Sequence, residues 1–237
     1  MKAVIVAAGQ SSRLRPLTKS IPKCLLEING KTILDYSIDN LQSYGIIDIA
    51  VVVGYQKDQI CQRYKDRLTL ISNPFYTETN NLASLWFAKD FIADSPFIYA
   101  HSDLLYDREI LSPLLQTSAG ITLSVEPKPT DPEMMKVRLD GEKFIEMGKD
   151  IPLEKAYGEW SGIAGFSSES WLKFADLAEE ILYNGSFNAY DAKAFNCMPN
   201  DVIKIAPFEQ IPFIEIDDSE DWQMAQNDVF PRLQERW

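Results

Sequence analysis

Short apolar runs alternate with polar stretches of helical periodicity through the first hundred residues. The runs lack the in-out alternation of a half-exposed strand, which predicts strands buried on both faces. They cover residues 4–8, 49–53, 68–71 and 97–100. Between them, apolar residues recur at helical spacing over 32–44, 56–67 and 82–91. This order predicts a Rossmann-like α/β fold, with a mostly parallel mixed sheet flanked by helices.

The pattern changes in the second half of the chain, where the predicted strands become shorter and several alternate. A hairpin is indicated at Asp140-Gly141, between strands at 136–139 and 143–147. Further strands are predicted at 120–126, 163–166, 203–208 and 213–216, the last two closing the sheet, and helices at 171–182 and 218–230. No repeat, linker or low-complexity stretch interrupts the chain. We therefore expect one domain over 1–237, with halves at about 1–115 and 116–237.

The charge balance narrows the classes of partner. The 237 residues include 23 basic and 35 acidic ones, a formal net charge of −12, which disfavours nucleic acid and anionic membranes as partners. The three cysteines lack metal spacing and are typical of a reduced interior. The sequence opens on a strand, which leaves no room for a signal peptide, and no apolar run is long enough to span a membrane. We expect a cytoplasmic protein.

Candidate chemistry begins where the first predicted strand ends. The run 4–8 breaks at Gly9 into small residues, which let a backbone approach a phosphate and offer it free N–H groups. Arg13, Arg15 and Lys23 add positive charge there, in an otherwise acidic chain. The turn lacks the spacing of a P-loop and the three glycines of the dinucleotide fingerprint. These features predict a site for a nucleoside triphosphate.

The whole string is more specific than the turn alone. Residues 6–18 read VAAGQSSRLRPLT, followed by Pro22-Lys23. The string closely resembles the signature LAAGxGSRLxPLT, then PK, of the nucleotidyltransferase family that includes sugar-1-phosphate nucleotidylyltransferases and bacterial phosphocholine cytidylyltransferases. Ser11 replaces the usual second glycine, and serine is small enough for the loop to survive with reduced backbone freedom.

The resemblance implies a nucleotidyltransferase fold of the GT-A-like type and roles for the residues of this string. Arg13 and Lys23 are the implied catalytic residues, Arg13 at the leaving pyrophosphate and Lys23 at the α-phosphate. The nucleotide-binding residues that it implies here are Ala7, Ala8, Gly9, Gln10, Ser11 and Ser12.

Two aspartates follow predicted strands and are candidate metal ligands. Asp103 follows the strand 97–100, where phosphates should lie, and two anions meet there only if a cation joins them, which implies Mg²⁺. Asp217 holds an equivalent position after 213–216, and the resemblance implies that both bind the catalytic Mg²⁺. Asp103 could instead cap a turn, and the adjacent Asp218 could be either a ligand or a helix N-cap.

The string NNLASL at 80–85 bears on the nucleobase. The side-chain amides of Asn80 and Asn81 offer both donors and acceptors to a base edge, although helix capping alone would also explain them. The cytidylyltransferase branch of the resembled family carries a similar N-N-x-x-S-L, so Asn80, Asn81 and Ser84 are implied to bind nucleotide. The implied nucleotide is CTP.

The acceptor pocket is expected to come from the second half of the chain. The resemblance implies that Lys149 contacts the acceptor phosphate, against the alternative of a solvated lysine. The other acceptor candidates combine carboxylates with aromatic rings: Glu159, Trp160, Tyr190 and Asp191. This mixture would suit an amine or a quaternary ammonium group, although the residues could simply belong to the core. His101, the one histidine, is expected to be structural.

Together these residues predict transfer of CMP from CTP to a small phosphate or phosphonate acceptor, with release of pyrophosphate. Phosphocholine, an aminoalkylphosphonate, a phosphorylated amino acid or a sugar phosphate would present the same oxyanion. A sugar-1-phosphate uridylyl- or thymidylyltransferase and a non-catalytic nucleotide-binding regulatory module are the alternatives. A Rossmann dehydrogenase is disfavoured because the spaced glycines are missing.

Overall fold

A computed structural model describes residues 1–117 and 119–237. Its strands are β1 (Lys2–Ala7), β2 (Glu27–Ile28), β3 (Lys31–Thr32), β4 (Ile49–Val53), β5 (Thr69–Ser72), β6 (Phe97–His101), β7 (Leu104–Tyr106), β8 (Ile121–Glu126), β9 (Lys136–Asp140), β10 (Lys143–Gly148), β11 (Gly158–Phe166), β12 (Ile203–Pro207) and β13 (Phe213–Glu215). Its α-helices are α1 (Ile33–Ser43), α2 (Lys57–Tyr64), α3 (Asn81–Phe87), α4 (Lys89–Ile92), α5 (Ser168–Tyr183), α6 (Ala192–Phe195), α7 (Ser219–Met224) and α8 (Phe230–Gln234). Within these described residues, no helix has both the length and the apolar character needed to cross a bilayer.

A mixed sheet of nine strands lies at the centre of the described part of the chain. On one side, β5, β4, β1 and β6 follow one another in parallel. β11 then joins antiparallel to β6 and also pairs with β8 and β9, while β12 runs parallel to β8. The hairpin predicted at Asp140-Gly141 joins β9 to β10. The expected α/β fold with a partly parallel sheet is confirmed.

The strands whose sequences lack in-out alternation are buried because an apolar cluster covers each of their two faces. In β1, Val4 and Val6 pack into one apolar cluster, and Ile5 and Ala7 pack into the cluster on the opposite face. Helices cover both faces, so neither set of side chains meets water. β1 is therefore held at the centre of the sheet, and the turn after Ala7 has a fixed starting point.

A second, two-stranded sheet lies apart from the first. The chain at 213–216 was expected to close the central sheet, but β13 pairs antiparallel with β7 instead. Ile214 and Ile216 point into a third apolar cluster beneath the C-terminal helices, and this burial selects the short β7 as partner. Ile216 N–H donates to the Asp103 carbonyl over 2.9 Å, so the two segments with the predicted metal ligands lie side by side.

The predicted helix over 218–230 is helical but not uniform. It consists of α7, a π-helical turn over Ala225–Val229 and α8. Pro231 lies in the first turn of α8, and its ring and missing N–H disfavour a continuous α-helical ladder. Asp218 caps α7, accepting from the N–H groups of Glu220 and Asp221.

Candidate active site

A cleft of about 1110 Å³ opens where β1 and β6 end, the edge at which open α/β sheets bind ligands. It contains most of the residues selected from the sequence. Those that line it are Ala7, Ala8, Gly9, Ser11, Ser12, Arg13, Lys23, Asn80, Asn81, Asp103, Lys149, Glu159, Trp160, Tyr190, Asp191 and Asp217. Residues from both halves of the chain therefore share one cleft.

Two of the expected nucleotide-binding residues do not line the cleft. Ser84 is buried on α3, and its hydroxyl accepts from the Asn73 side-chain amide over 3.1 Å, because that face of the helix packs against the body of the protein. Gln10 is half-buried in the turn after β1 and does not border the cleft either. The structure therefore does not bring these two side chains together with the other predicted residues at the cleft.

The turn after β1 keeps a glycine-like conformation without the second glycine. Ser11 has φ of 47° and ψ of 51°, in the left-handed region that favours glycine. Its carbonyl accepts from Thr18 Oγ1 over 2.7 Å and from Leu14 N–H over 3.3 Å, which ties the strained residue to the segment that follows. Ser11 thus holds a backbone conformation that a glycine would adopt without a Cβ penalty.

Lys23 lies at the base of the cleft, and its ammonium is surrounded by oxygen. It donates to the Ile216 carbonyl over 2.7 Å and forms ion pairs with Asp103 Oδ2 at 2.6 Å and Asp217 Oδ1 at 3.0 Å. Burial alone would lower the pKa of Lys23, but the two carboxylates outweigh it and raise that pKa. The lysine stays charged in a buried position.

Asp217 is bridged by a second cation on its open side. Arg13 Nη2 lies 2.7 Å from Asp217 Oδ2, and the Arg13 side chain is 55% exposed. The arginine is therefore free to leave this partner for a more highly charged one in the cleft. Asp218 faces α7 as its cap, so of the two neighbouring aspartates only Asp217 pairs with Lys23 and Arg13.

Glu215 completes a cluster that sequence reasoning missed. His101, Asp103 and Glu215 offer ligand atoms that all lie within 4.8 Å of one another. Burial and the charge of Asp103 raise the pKa of Glu215 to about 8, whereas Lys23 lowers the pKa of Asp103 against the effect of burial. The signal was present in the sequence, because Glu215 and Asp217 are two apart on an extended segment and share a face.

The carboxylates of this cluster fit a hard divalent cation. Asp103 Oδ1 is buried and has no hydrogen-bond partner among the described residues, an arrangement that is costly unless something else binds it. Mg²⁺ prefers carboxylate oxygens, which Asp103 and Glu215 supply in this cluster. Asp217 lies beside it with both oxygens in ion pairs, so it becomes available to a cation when Arg13 moves away. His101 is a poorer ligand for such an ion because Mg²⁺ prefers oxygen ligands to the nitrogen of an imidazole.

Asp191 borders the cleft but its carboxylate is already used inside the protein. It is fully buried; Oδ2 accepts from Tyr99 O–H over 2.6 Å and contacts His101 Nε2, while Oδ1 accepts from Ala192 N–H over 3.0 Å. Three contacts thus engage its two oxygens inside the protein, and the acceptor-binding role expected for Asp191 stays a prediction. His101 occupies the structural position expected of it, and burial, which would lower its pKa, is outweighed by Asp191, which raises it to about 9.

Gly162 makes room for the histidine. It lies in β11 with φ of +76°, where the pairing with β8 shifts register, and a Cβ there would lie 2.8 Å from His101 Nδ1. A side chain at this position would push the imidazole away from Asp191.

The remaining wall of the cleft carries both charges. Lys128 Nζ lies 2.7 Å from Glu126 and 2.8 Å from Glu159, and Lys149 faces Glu133 at 3.4 Å. Tyr190 is half-exposed at the mouth, whereas Trp160 is buried with its Nε1–H donating to the Ile163 carbonyl. Glu126 and Lys128 were missed from the sequence, although Glu126 ends β8 and Lys128 comes two residues after it, much as Asp103 comes two residues after β6.

Asn80 and Asn81, at the start of α3, differ in how far their side chains are already engaged by the protein. Asn80 caps the helix, its side-chain oxygen accepting from Asn81 N–H over 2.9 Å, and its amide nitrogen reaches Asn188 at 3.4 Å. The Asn81 side-chain amide lies 3.2 Å from His101 Nε2 and is partly exposed to the cleft. Asn81 is therefore the better placed of the two to meet a ligand.

Comparison with known proteins agrees with this geometry. The family model described as nucleotidyl transferase matches residues 2–134. The chain is similar to a choline-phosphate cytidylyltransferase of Streptococcus pneumoniae (41% identity over 105 residues, 44% of this chain and 46% of the relative) and a CTP:phosphoglutamine cytidylyltransferase of Campylobacter jejuni (35% over 134 residues, 53% of each). It is also similar to a 2-aminoethylphosphonate cytidylyltransferase of Lancefieldella rimae (37% over 115 residues, 47% of this chain and 46% of the relative).

These alignments span about half the length of each relative, whereas the likeness of fold extends further. A CTP:phosphocholine cytidylyltransferase structure from Streptococcus pneumoniae superposes with a TM-score of 0.77 over 95% of this chain and 97% of the other, at 23% identity. An inositol-1-phosphate CTP transferase from T. maritima gives 0.80 over 99% and 95%, at 20% identity. The family match covers more than half of the 237 residues, and the chain belongs to the nucleotidyl transferase family.

Proposed function

We propose that this protein is a cytidylyltransferase that transfers CMP from CTP to a small phosphate or phosphonate acceptor and releases pyrophosphate. The observation that carries the proposal is the contact of 2.6 Å between the Lys23 ammonium and Asp103, at the base of a cleft that also contains the turn after β1. In this proposal residues 1–115 bind the nucleotide and 116–237 the acceptor. The similar cytidylyltransferases supply the expectation of CTP.

The reaction needs positioning and charge neutralisation more than proton transfer. An oxygen of the acceptor attacks the α-phosphorus, the bond from that phosphorus to the bridging oxygen breaks, and the electron pair leaves with pyrophosphate. The attacking oxygen is an anion near neutral pH, so no general base is required. Catalysis then depends on holding two anions together and stabilising the charge that develops on the leaving group.

The N-terminal turn and its cations are arranged for that task. The backbone N–H groups after Gly9 and the guanidinium of Arg13 would hold the β- and γ-phosphates, and Arg13 would exchange Asp217 for them. Lys23 would donate to the α-phosphate, where its buried charge is least screened by water. Lys149, on the opposite wall, would align the incoming phosphate.

The acidic cluster gives this machinery a place for its cation. Asp103, Asp217 and Glu215 would hold Mg²⁺, which when bound neutralises phosphate charge and brings nucleotide and acceptor together. Lys23 touches both aspartates, so it fixes the two carboxylates even before a ligand arrives. Asp218 is not included among these ligands because its side chain caps α7.

The acceptor half of the cleft favours a substrate with a cationic end. Glu126 and Glu159 share the ammonium of Lys128, so a positively charged group is accommodated between these carboxylates. The relatives named above act on phosphocholine, phosphoglutamine and 2-aminoethylphosphonate. We therefore favour a small zwitterionic phosphate or phosphonate over a sugar phosphate.

A panel of nucleotides and acceptors tests the proposal. Each of CTP, UTP, dTTP and ATP is combined with phosphocholine, 2-aminoethylphosphonate, phosphoserine or glucose-1-phosphate, with Mg²⁺, and pyrophosphate release is measured. Fastest turnover with CTP and a zwitterionic acceptor is expected. Turnover only with UTP or dTTP and the sugar phosphate would make the protein a sugar nucleotidylyltransferase, and nucleotide binding without turnover of any pair would make it a regulatory module.

A further inference from the structure

A chain of polar contacts joins the acceptor side of the cleft to the start of α3. Asp191 Oδ2 lies 3.2 Å from His101 Nε2, and the same ring nitrogen lies 3.2 Å from Asn81 Nδ2. The proposed mechanism uses neither Asp191, which is fully buried, nor His101, whose side chain is 13% exposed, and both line the cleft.

The Asp191 carboxylate determines which group donates the hydrogen in each of these contacts. An ionised carboxylate only accepts, so Nε2 must carry a hydrogen to satisfy Asp191. This holds for the imidazolium and for the neutral Nε2–H tautomer alike, so the direction does not depend on the charge of His101. A donor at Nε2 repels the NH₂ of Asn81 and attracts its oxygen. The oxygen and nitrogen of a side-chain amide are assigned from such contacts, so the Asn81 amide is assigned with its oxygen toward His101, in exchange for the Nδ2 placed there, and with its NH₂ toward the cleft.

Each residue in this series of polar contacts is held in place. Asp191 is fixed by Tyr99 O–H at 2.6 Å and Ala192 N–H at 3.0 Å, and Gly162 leaves the space that the imidazole occupies. The orientation of Asn81 is thus set before any ligand binds, so little ordering remains to be done on binding.

We infer that Asp191 is a positioning residue which, through His101, turns the NH₂ of Asn81 toward the nucleobase and so selects cytosine over uracil. The inference rests on the proposed function and deepens it. Cytosine presents an unprotonated, accepting N3, whereas uracil presents an N3–H donor. An NH₂ group fixed in the cleft pairs with the first and opposes the second, and a site that leaves a buried polar group unpaired discriminates strongly.

Asp191→Asn tests the inference because it reverses donor and acceptor along this series of contacts. Ala192 N–H keeps the oxygen of the new amide, so its NH₂ faces His101. His101 then takes the Nδ1–H tautomer, its Nε2 accepts, and Asn81 turns its NH₂ inward and its oxygen toward the base. We expect the ratio of kcat/KM for CTP to that for UTP to fall about tenfold or more, through loss with CTP and not with UTP.

A matched control is Asp107→Asn. Asp107 is also a buried helix-capping aspartate, accepting from Glu109 N–H and from Arg236, but it lies outside the residues that line the cleft. Its substitution should leave the ratio unchanged. Asn81→Asp, which presents only acceptors, should shift preference toward UTP without disturbing the buried cluster, and adding Asp191→Asn to it should change the ratio no further.

One measurement needs no variant. His101 is the only histidine, so a ¹⁵N spectrum of the imidazole reads its protonation directly, and Nε2 should carry hydrogen in the unliganded protein. A neutral Nδ1–H tautomer would overturn the inference even if Asp191→Asn failed to fold. So would an unchanged ratio, or an equal loss with both nucleotides, in a wild-type enzyme that prefers CTP. A wild-type enzyme that does not prefer CTP would instead remove the proposed function.

Discussion

Lys23 Nζ and Asp103 Oδ2 lie 2.6 Å apart, and the other oxygen of the same carboxylate is buried without a hydrogen-bond partner in the described part of the chain. One side of Asp103 is thus neutralised by the protein, and the other is left available. In the proposed function the pair separates two tasks, because the fixed ammonium would serve the nucleotide and the unpaired oxygen would serve a cation. This separation underlies the first two predictions.

Lys23→Met should lower turnover by about 100-fold or more, because a preorganised charge at the reacting phosphate is lost. It should also lower the free energy of unfolding by about 3 kcal/mol, since buried carboxylates lose their cation. Pyrophosphate release below the melting temperature of the variant measures the first effect. Lys31→Met, which removes the ion pair of Lys31 with Asp39 outside the cleft, is the control. Near-normal turnover of folded Lys23→Met would contradict the role given to Lys23.

Asp217→Ala and Asp218→Ala should fail in different ways. Asp217→Ala should weaken binding of Mn²⁺ in the presence of a non-hydrolysable CTP analogue and reduce turnover, because a cleft-facing carboxylate is lost. Asp218→Ala should cost about 1 kcal/mol of stability through loss of the α7 cap, with cation affinity kept. Calorimetry and thermal unfolding measure the two effects. Weaker cation binding in Asp218→Ala alone would reverse the assignment.

Ser11→Gly should stabilise the protein by about 0.5 to 1 kcal/mol, because the left-handed backbone at this position carries a strain that glycine relieves. Turnover should be retained, since the path of the turn is unchanged. Ser12→Gly is the comparison: Ser12 begins the 3₁₀ segment Ser12–Leu14, and its substitution should destabilise. Thermal unfolding of both variants decides, and a destabilised Ser11→Gly would show that the strain is absent.

The pairing of His101 with Asp191 should make stability depend on pH. Burial opposes the charge of His101, but Asp191 raises its pKa to about 9, from an ordinary value of 6.5. A raised folded-state pKa means that the contribution is complete below the unfolded value, about 6.5, and is lost as pH rises through about 9. The difference in unfolding free energy between wild type and His101→Gln, measured with a chelator present, should shrink over that interval. A constant difference would contradict the pairing.

The sequence and the structure agree where burial on both faces leaves a local signature. Residues 49–53 are apolar throughout and form β4 in the position expected. β7 was missed because three residues carry no periodicity, and 213–216 was assigned to the wrong sheet because an apolar run indicates a strand without naming its partner. Pairing is decided by long-range packing, here by Ile214 and Ile216 beneath the C-terminal helices.

The candidate site was largely predictable because strand ends converge at one edge of an α/β sheet. Arg13, Lys23, Asp103 and Asp217 follow this rule, and the structure brings them together. The role of Asp191 could not be predicted in the same way. Whether an acidic side chain is buried depends on which elements pack over it, and Tyr99 and His101 reach Asp191 from about ninety positions earlier in the chain.

The small ladder between β7 and β13 determines when the acidic cluster can be complete during synthesis. Asp103 is made with the first half of the site, whereas Glu215 and Asp217 follow it much later in the chain. A nascent chain that lacks β13 contains Lys23 and the turn after β1, but not these two carboxylates. The cluster therefore forms only once β13 docks beside β7, and in the proposed function catalysis has to wait for that step.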